Sequence, residues 1–161
     1  MKNDSVDNQK LRTEEYEAAT KEKRILIVED NDYKYEEVKD LLQKYKLKNY
    51  VRKTAVGKSF FECINGEKEV DIIILDTQFP RNLYGPIIDD AGVELIRKLM
   101  QNQRLGRLKR IPQIIGFSTE DFCEKYLRYQ KMTGEDMTTQ FVGQGKNIHE
   151  VEEILKRVLD L

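Results

Sequence analysis

This sequence predicts a doubly wound α/β fold built on a parallel sheet, and three observations carry the prediction. Two short runs, 24–28 and 70–75, are almost wholly β-branched and aliphatic. A run that is apolar at successive positions marks a strand buried on both faces, as parallel strands are. Each of these runs ends in carboxylates, Glu29 and Asp30 after the first and Asp76 after the second. Around them, strand-like and helix-like segments alternate along the chain, the pattern of a sheet with helices on both faces.

The elements follow in order. Residues 1–23 lack a strong apolar face and read as a polar tail, or as a short helix from about Thr13. The first strand is 24–28. Asn31 and Asp32 offer an N-cap for a helix over 33–45, with Val38, Leu41 and Leu42 on one face. A second strand is expected over 49–53, then a helix over 57–65 closed by Asn65 and Gly66. The third strand is 71–75. A long loop leads to a helix over 91–103 carrying Val93, Leu95, Ile96 and Leu99. A basic connector with Arg104, Arg107, Lys109 and Arg110 reads as a solvated charge run. The fourth strand is 113–117, and a helix or broken helix is expected over 120–132. The last strand is placed at 139–143, with Gly143, Gln144 and Gly145 read as a turn. Ile148, Val151, Ile154, Leu155 and Val158 recur at helical spacing and predict a final helix over 148–159.

The bulk numbers narrow the function. At 161 residues the chain fits one domain with a tail, long enough for a core without disulfides or metals. Charged residues are 35% of the chain but the net charge is −1, so global attraction to nucleic acid or to anionic membrane is not expected. No apolar stretch approaches the roughly 18 residues needed to span a bilayer. Cys63 and Cys123 have no metal-type spacing and read as reduced packing residues of a cytoplasmic protein. His149, the single histidine, reads as a surface residue.

The chemistry concentrates at the strand ends. In open α/β sheets, ligands bind outside the carboxyl ends of the strands. Glu29, Asp30 and Asp76 are expected to meet there. Three adjacent carboxylates raise one another's pKa unless a cation screens them. A hard divalent ion with oxygen ligands, Mg²⁺ above all, suits such a pocket and leaves positions open for phosphate oxygens. A carboxylate beside Mg²⁺ can act as a nucleophile toward phosphorus and form an acyl phosphate. Ser118 and Thr119 follow the fourth strand and bring hydroxyls to the same edge. One can bond a phosphoryl oxygen while the other caps the next helix. The plainer alternative is that one acid caps a helix and another is simply solvated.

Four segments, in order, resemble the receiver domain of two-component response regulators. They are Ile-Leu-Ile-Val-Glu-Asp-Asn at 25–31, Ile-Ile-Ile-Leu-Asp at 72–76 with Pro80 downstream, Gly-Val-Glu-Leu-Ile-Arg at 92–97, and Ile-Gly-Phe-Ser-Thr at 115–119. The resemblance covers residues 24 to about 160, so 24–161 would be a receiver domain. It implies a flavodoxin-like fold with strand order 2-1-3-4-5. By position it makes Asp76 the phosphoacceptor. Asp30, Asp76 and the backbone carbonyl of Gln78 would bind Mg²⁺, with Glu29 acting through water or orienting the metal. Ser118 would receive the phosphoryl oxygen, and Phe141 would take the aromatic switch position.

Two departures stand out. Where the family has a lysine at the end of the last strand, this chain has Gln144, which supplies no charge. Lys146, two residues on, is the candidate to fill that role if the turn bulges. The loop from Pro80 to Gly92 is also longer than the family's by about eight residues. It reads as a tolerated insertion sooner than as a lid or partner contact.

The expected function is that of a stand-alone receiver. A histidine kinase or phosphotransfer protein would donate a phosphoryl group to Asp76. Since no DNA-binding segment follows Leu161, output is expected through a downstream protein partner, with homodimerisation through the same face also open. The only catalysis expected is Mg²⁺-dependent self-phosphorylation and self-dephosphorylation at the aspartate. The alternative is a pseudo-receiver, a binding module whose acids are remnants. A phosphatase is disfavoured because Gln78 stands where such an enzyme needs a general acid.

Overall fold

The two apolar runs form neighbouring strands at the middle of a parallel sheet. The computed structural model describes residues 23–119 and 141–161, together with positions 14, 124, 128, 131 and 134. The strands are β1 (Ile25–Val28), β2 (Tyr50–Lys53), β3 (Ile72–Leu75), β4 (Phe79–Pro80), β5 (Ile87–Ile88), β6 (Gln113–Phe117) and β7 (Phe141–Gly145). The helices are α1 (Asp32–Lys44), α2 (Val56–Asn65), α3 (Ala91–Arg104) and α4 (Ile148–Leu159). Five strands make one sheet in the order β2-β1-β3-β6-β7, every pair parallel. Counting only its own strands, that order is 2-1-3-4-5. Most of the expected tail over 1–23 and of the helix over 120–132, together with Cys123, lies outside the described residues.

Alternate strand residues enter separate clusters, because successive side chains point to opposite faces of a sheet. Leu26, Val28, Ile73, Leu75 and Ile114 pack with Val56 of α2 and with Val93, Leu95, Ile96 and Leu99 of α3. Ile25, Ile27, Ile72, Ile74, Ile115 and Phe117 pack with Val38, Leu41 and Leu42 of α1 and with Val151, Ile154 and Leu155 of α4. All four residues of β1 and all four of β3 are buried. Fully burying one such aliphatic side chain contributes about 1.5–3 kcal/mol, so these two strands anchor the sheet. Cys63 is a free thiol packed against the first cluster. Burial first, and Glu62 second, push its pKa up to about 12, which keeps it protonated. No helix among the described residues is long and apolar enough to cross a membrane.

Two corrections arise around the sheet. The last strand does not end at 143 but runs to Gly145, so Gly143, Gln144 and Gly145 are strand residues and not a turn. Its ladder slips by one: Phe141 lies opposite Ile114 and Gly143 opposite Ile115, leaving Val142 as the extra residue of a bulge. Glycines carry no strand signal, and here they let α4 lie close over the strand. The second correction concerns the loop after Pro80. It is pinned by a small antiparallel pairing, Phe79 opposite Ile88 and Pro80 opposite Ile87, with Phe79 fully buried. A proline is tolerated because a two-residue edge ladder can do without its missing N–H.

Asn31 caps α1, its side-chain oxygen accepting from the Lys34 backbone N–H at 3.0 Å. Asn31→Ala is expected to lower the unfolding free energy by about 1 kcal/mol, measured by urea denaturation. A loss below roughly a third of that would show the cap to be unformed in solution.

Candidate functional site

In-register parallel pairing decides what meets at the sheet edge. Val28 is paired with Leu75, so the residues that follow, Glu29 and Asp76, leave the sheet side by side. Leu75 is paired with Gly116, which puts Ser118 at the same edge two residues on. Glu29, Asp30 and Asp76 each offer a carboxylate oxygen within 4.8 Å of the others. They line an open cleft of about 290 Å³ together with Lys34, Gln78 and Ser118.

The electrostatics are those of a crowded acidic site. Glu29 is 2% exposed, and its Oε1 accepts from the Asn31 N–H at 3.1 Å. Burial, then the neighbouring Asp76 charge, raise its pKa to about 7, and the pull of Lys34 does not cancel them. Asp30 is also raised, chiefly by burial and then, among the charges, by Asp76. The Asp76 carboxylate accepts from the Thr77 N–H at 2.7 Å. Ser118 is 4% exposed; its hydroxyl lies 3.0 Å from that of Thr77, and its N–H donates to the Gly145 carbonyl at 3.1 Å. A buried carboxyl held well above its ordinary range, with two more acids beside it, suits a hard divalent cation that would relieve the repulsion.

The raised Glu29 pKa has a stability consequence in chelator, with no divalent ion present. The folded value of about 7 exceeds the ordinary 4.5, so the native state holds its proton more tightly than the unfolded chain. Stability is therefore expected to fall as pH rises from about 4.5 to about 7, by up to roughly 3 kcal/mol. Glu29→Gln should flatten that decline in thermal melts. An identical slope in the variant would show that Glu29 is not its source.

The acids and Ser118 predicted from sequence converge on the cleft, and Gln78 lines it while its side-chain amide donates to Asp89 at 3.2 Å. Lys146 is not among the cleft's lining residues. It is exposed, lies in a separate groove with Gln144, Glu150 and Glu153, and donates its backbone N–H to Glu150 at 2.6 Å. Gln144 lies within β7, paired with Gly116. Phe141 is half-buried against the first core cluster. His149 is exposed on α4.

Three contributors were not foreseen. Thr77 is 1% exposed and holds Ser118. Arg52 of β2 donates to the Glu29 carbonyl at 3.0 Å and to Asp32 at 2.8 Å. Lys34, in the first turn of α1, reaches Glu29 at 3.3 Å and Asp76 at 3.5 Å. The usable signal for Lys34 was its place three residues after the cap. Helical side chains tilt toward the N-terminus, here toward the strand ends.

No protein-family model matches the chain, and no curated protein matches it by sequence. Solved structures do. The chain is similar to a CheY-like response regulator receiver domain protein from Methanospirillum hungatei, at 20% identity over 86% of this chain and 94% of that one, TM-score 0.56. It is similar to the phosphorylated cyanobacterial phytochrome response regulator RcpA, at 17% identity over 84% and 90%, TM-score 0.55. It is also similar to the receiver domain of the Saccharomyces cerevisiae response regulator Ssk1, solved with the histidine phosphotransfer protein Ypd1, at 19% identity over 83% and 86%, TM-score 0.56. With its five parallel strands in this order and its acids at their carboxyl edge, the chain has the fold of a response regulator receiver domain.

Proposed function

We propose that this chain is a phosphoacceptor in histidine-to-aspartate signalling, with Asp76 as the acceptor. The observation that supports it most is the meeting of Glu29, Asp30 and Asp76 at one sheet edge with the buried Ser118 hydroxyl. A carboxylate oxygen of Asp76 would attack phosphorus. The bond from phosphorus to the donor would break, its electron pair leaving with the donor group. The product is an acyl phosphate on Asp76. Glu29, Asp30 and Asp76, with the Gln78 carbonyl, are the residues that would hold Mg²⁺. When bound, that ion supplies positive charge against the phosphoryl oxygens.

Ser118 then has a task of its own. Its hydroxyl is held by Thr77 and its backbone by β7, so moving it toward a new anion would disturb both contacts. That is a local charge change biasing a packed surface, here the sheet end, β7 and α4. The donor would be a histidine kinase or phosphotransfer protein, in keeping with the Ypd1-bound relative. The output would be contact with another protein or a second copy. On this reading the sheet carries helices on both faces, supported by the two separate core clusters. The protein would work in the cytoplasm and turn over no substrate beyond its own phosphoryl group.

Gln144 favours a second reading, a binding module that does not depend on phosphorylation. It stands where the family's resemblance puts a cation and has none to offer. Intact-protein mass after incubation with acetyl phosphate separates the two. One phosphoryl adduct that requires Mg²⁺ supports the acceptor. No adduct, where a control receiver is labelled, supports the binding module.

A further inference from the structure

Resting on the acceptor reading, we propose that Lys34 is the phosphoryl-binding cation of this pocket, supplied by the first helix in place of the end of the last strand. Its ammonium lies 3.3 Å from Glu29 and 3.5 Å from Asp76, and donates to the Phe117 carbonyl at 3.1 Å. It also stands 4.6 Å above the Phe117 ring. Phe117 immediately precedes Ser118. One ammonium therefore touches the proposed acceptor Asp76, the neighbouring acid Glu29 and the strand that leads to the Ser118 hydroxyl.

Local propensity does not account for a lysine here. A cation in the first turn of a helix opposes the helix dipole and weakens the helix. The carboxylates that Lys34 reaches offset that. Its side chain is only 27% exposed. Lys146, which a reading from the last strand would have chosen, lines another groove.

Charge balance makes the arrangement coherent with a metal. Among the described residues, three carboxylates face the Lys34 ammonium and, beside Asp30, the Arg52 guanidinium, which still leaves an acidic balance to draw in a divalent cation. Transfer of a phosphoryl group to Asp76 replaces a singly charged carboxylate with a more highly charged acyl phosphate. Lys34 already lies 3.5 Å from one oxygen of the carboxylate on which that charge would develop. A preplaced cation needs no reorganisation as that charge develops.

The test compares wild type with Lys34→Met, which keeps the length and removes the charge, and Lys34→Arg, which keeps the charge. Thermal melts establish that each is folded. Two quantities are read: the rate of adduct formation from acetyl phosphate by intact mass, and Mg²⁺ affinity by calorimetry without any phosphodonor. Lys34→Met should form the adduct at least about tenfold more slowly, in line with losing one preplaced electrostatic partner. It should bind Mg²⁺ more tightly, because a competing cation has gone from between the acids. Lys34→Arg should recover part of the rate. Equal labelling of Lys34→Met and wild type overturns the proposal and leaves the acceptor reading standing. Slower labelling with unchanged Mg²⁺ affinity also overturns it, since the ammonium would then not sit among the acids. Wild type that takes no phosphoryl group at all removes both readings together.

Discussion

Asp76→Asn is expected to abolish phosphoryl labelling by acetyl phosphate while leaving the fold intact and, in chelator, more stable. The loss should be complete because the amide oxygen of asparagine is a far weaker nucleophile than a carboxylate. The shape is retained: the Asn oxygen can still accept from the Thr77 N–H that Asp76 now engages at 2.7 Å. The stability change follows from charge. Asp76 is, after burial, the largest cause of the raised Glu29 pKa, and it also raises that of Asp30. Removing one of three crowded carboxylates should raise the unfolding free energy at pH 8 by about 1 kcal/mol. The lost attraction to Lys34 at 3.5 Å acts in the opposite direction. A variant that melts lower than wild type in chelator would show that this attraction outweighs the repulsion. A variant that still gains a phosphoryl group would move the acceptor elsewhere.

Gly145→Ala is expected to be the most damaging single-methyl change near the pocket. Gly145 is the buried last residue of β7, where α4 crosses closely. A Cβ there would lie 2.7 Å from the backbone nitrogen of Val151 and 2.8 Å from its Cγ2. Backbone cannot step aside as a side chain does, so α4 or β7 must shift, at about 1–3 kcal/mol. The shift should reach the site, because the Gly145 carbonyl accepts the Ser118 N–H. Labelling should therefore slow as well. Gly143→Ala is the control. Its Cβ would meet the Ile154 side chain at 2.9 Å and 3.0 Å, and that side chain can change rotamer. Urea denaturation should rank Gly145→Ala below Gly143→Ala. The reverse order would mean that α4 does not pack on β7 as described.

These two variants also separate what could be read from the sequence from what could not. Asp76 was legible because a strand buried on both faces is an unbroken apolar run, and a carboxylate ending such a run is conspicuous. Glu29 and Asp30 were legible for the same reason. Ser118 followed from the next strand of the same kind. The close approach at Gly145 was not legible, since glycine carries neither apolar pattern nor strand propensity. The bulge at Val142, the extension of β7 to Gly145 and the small ladder of Phe79–Pro80 with Ile87–Ile88 escaped for a related reason. Each is too short or too irregular to show a period.

By itself the sequence determined the parallel α/β architecture and the acids at its edge, because both follow from residue type and spacing along one strand at a time. Tertiary structure alone decided that, among the described residues, Lys34 is the lysine ion-paired with those acids while Lys146 lines another groove. Which cation reaches a pocket depends on where a helix leaves the sheet and which way its side chains tilt. α1 starts at Asp32, two residues after Asp30, and its Lys34 reaches back to Glu29 and Asp76. Lys146 follows a strand that ends three residues after its last apolar residue, Val142, and it lies in a different groove.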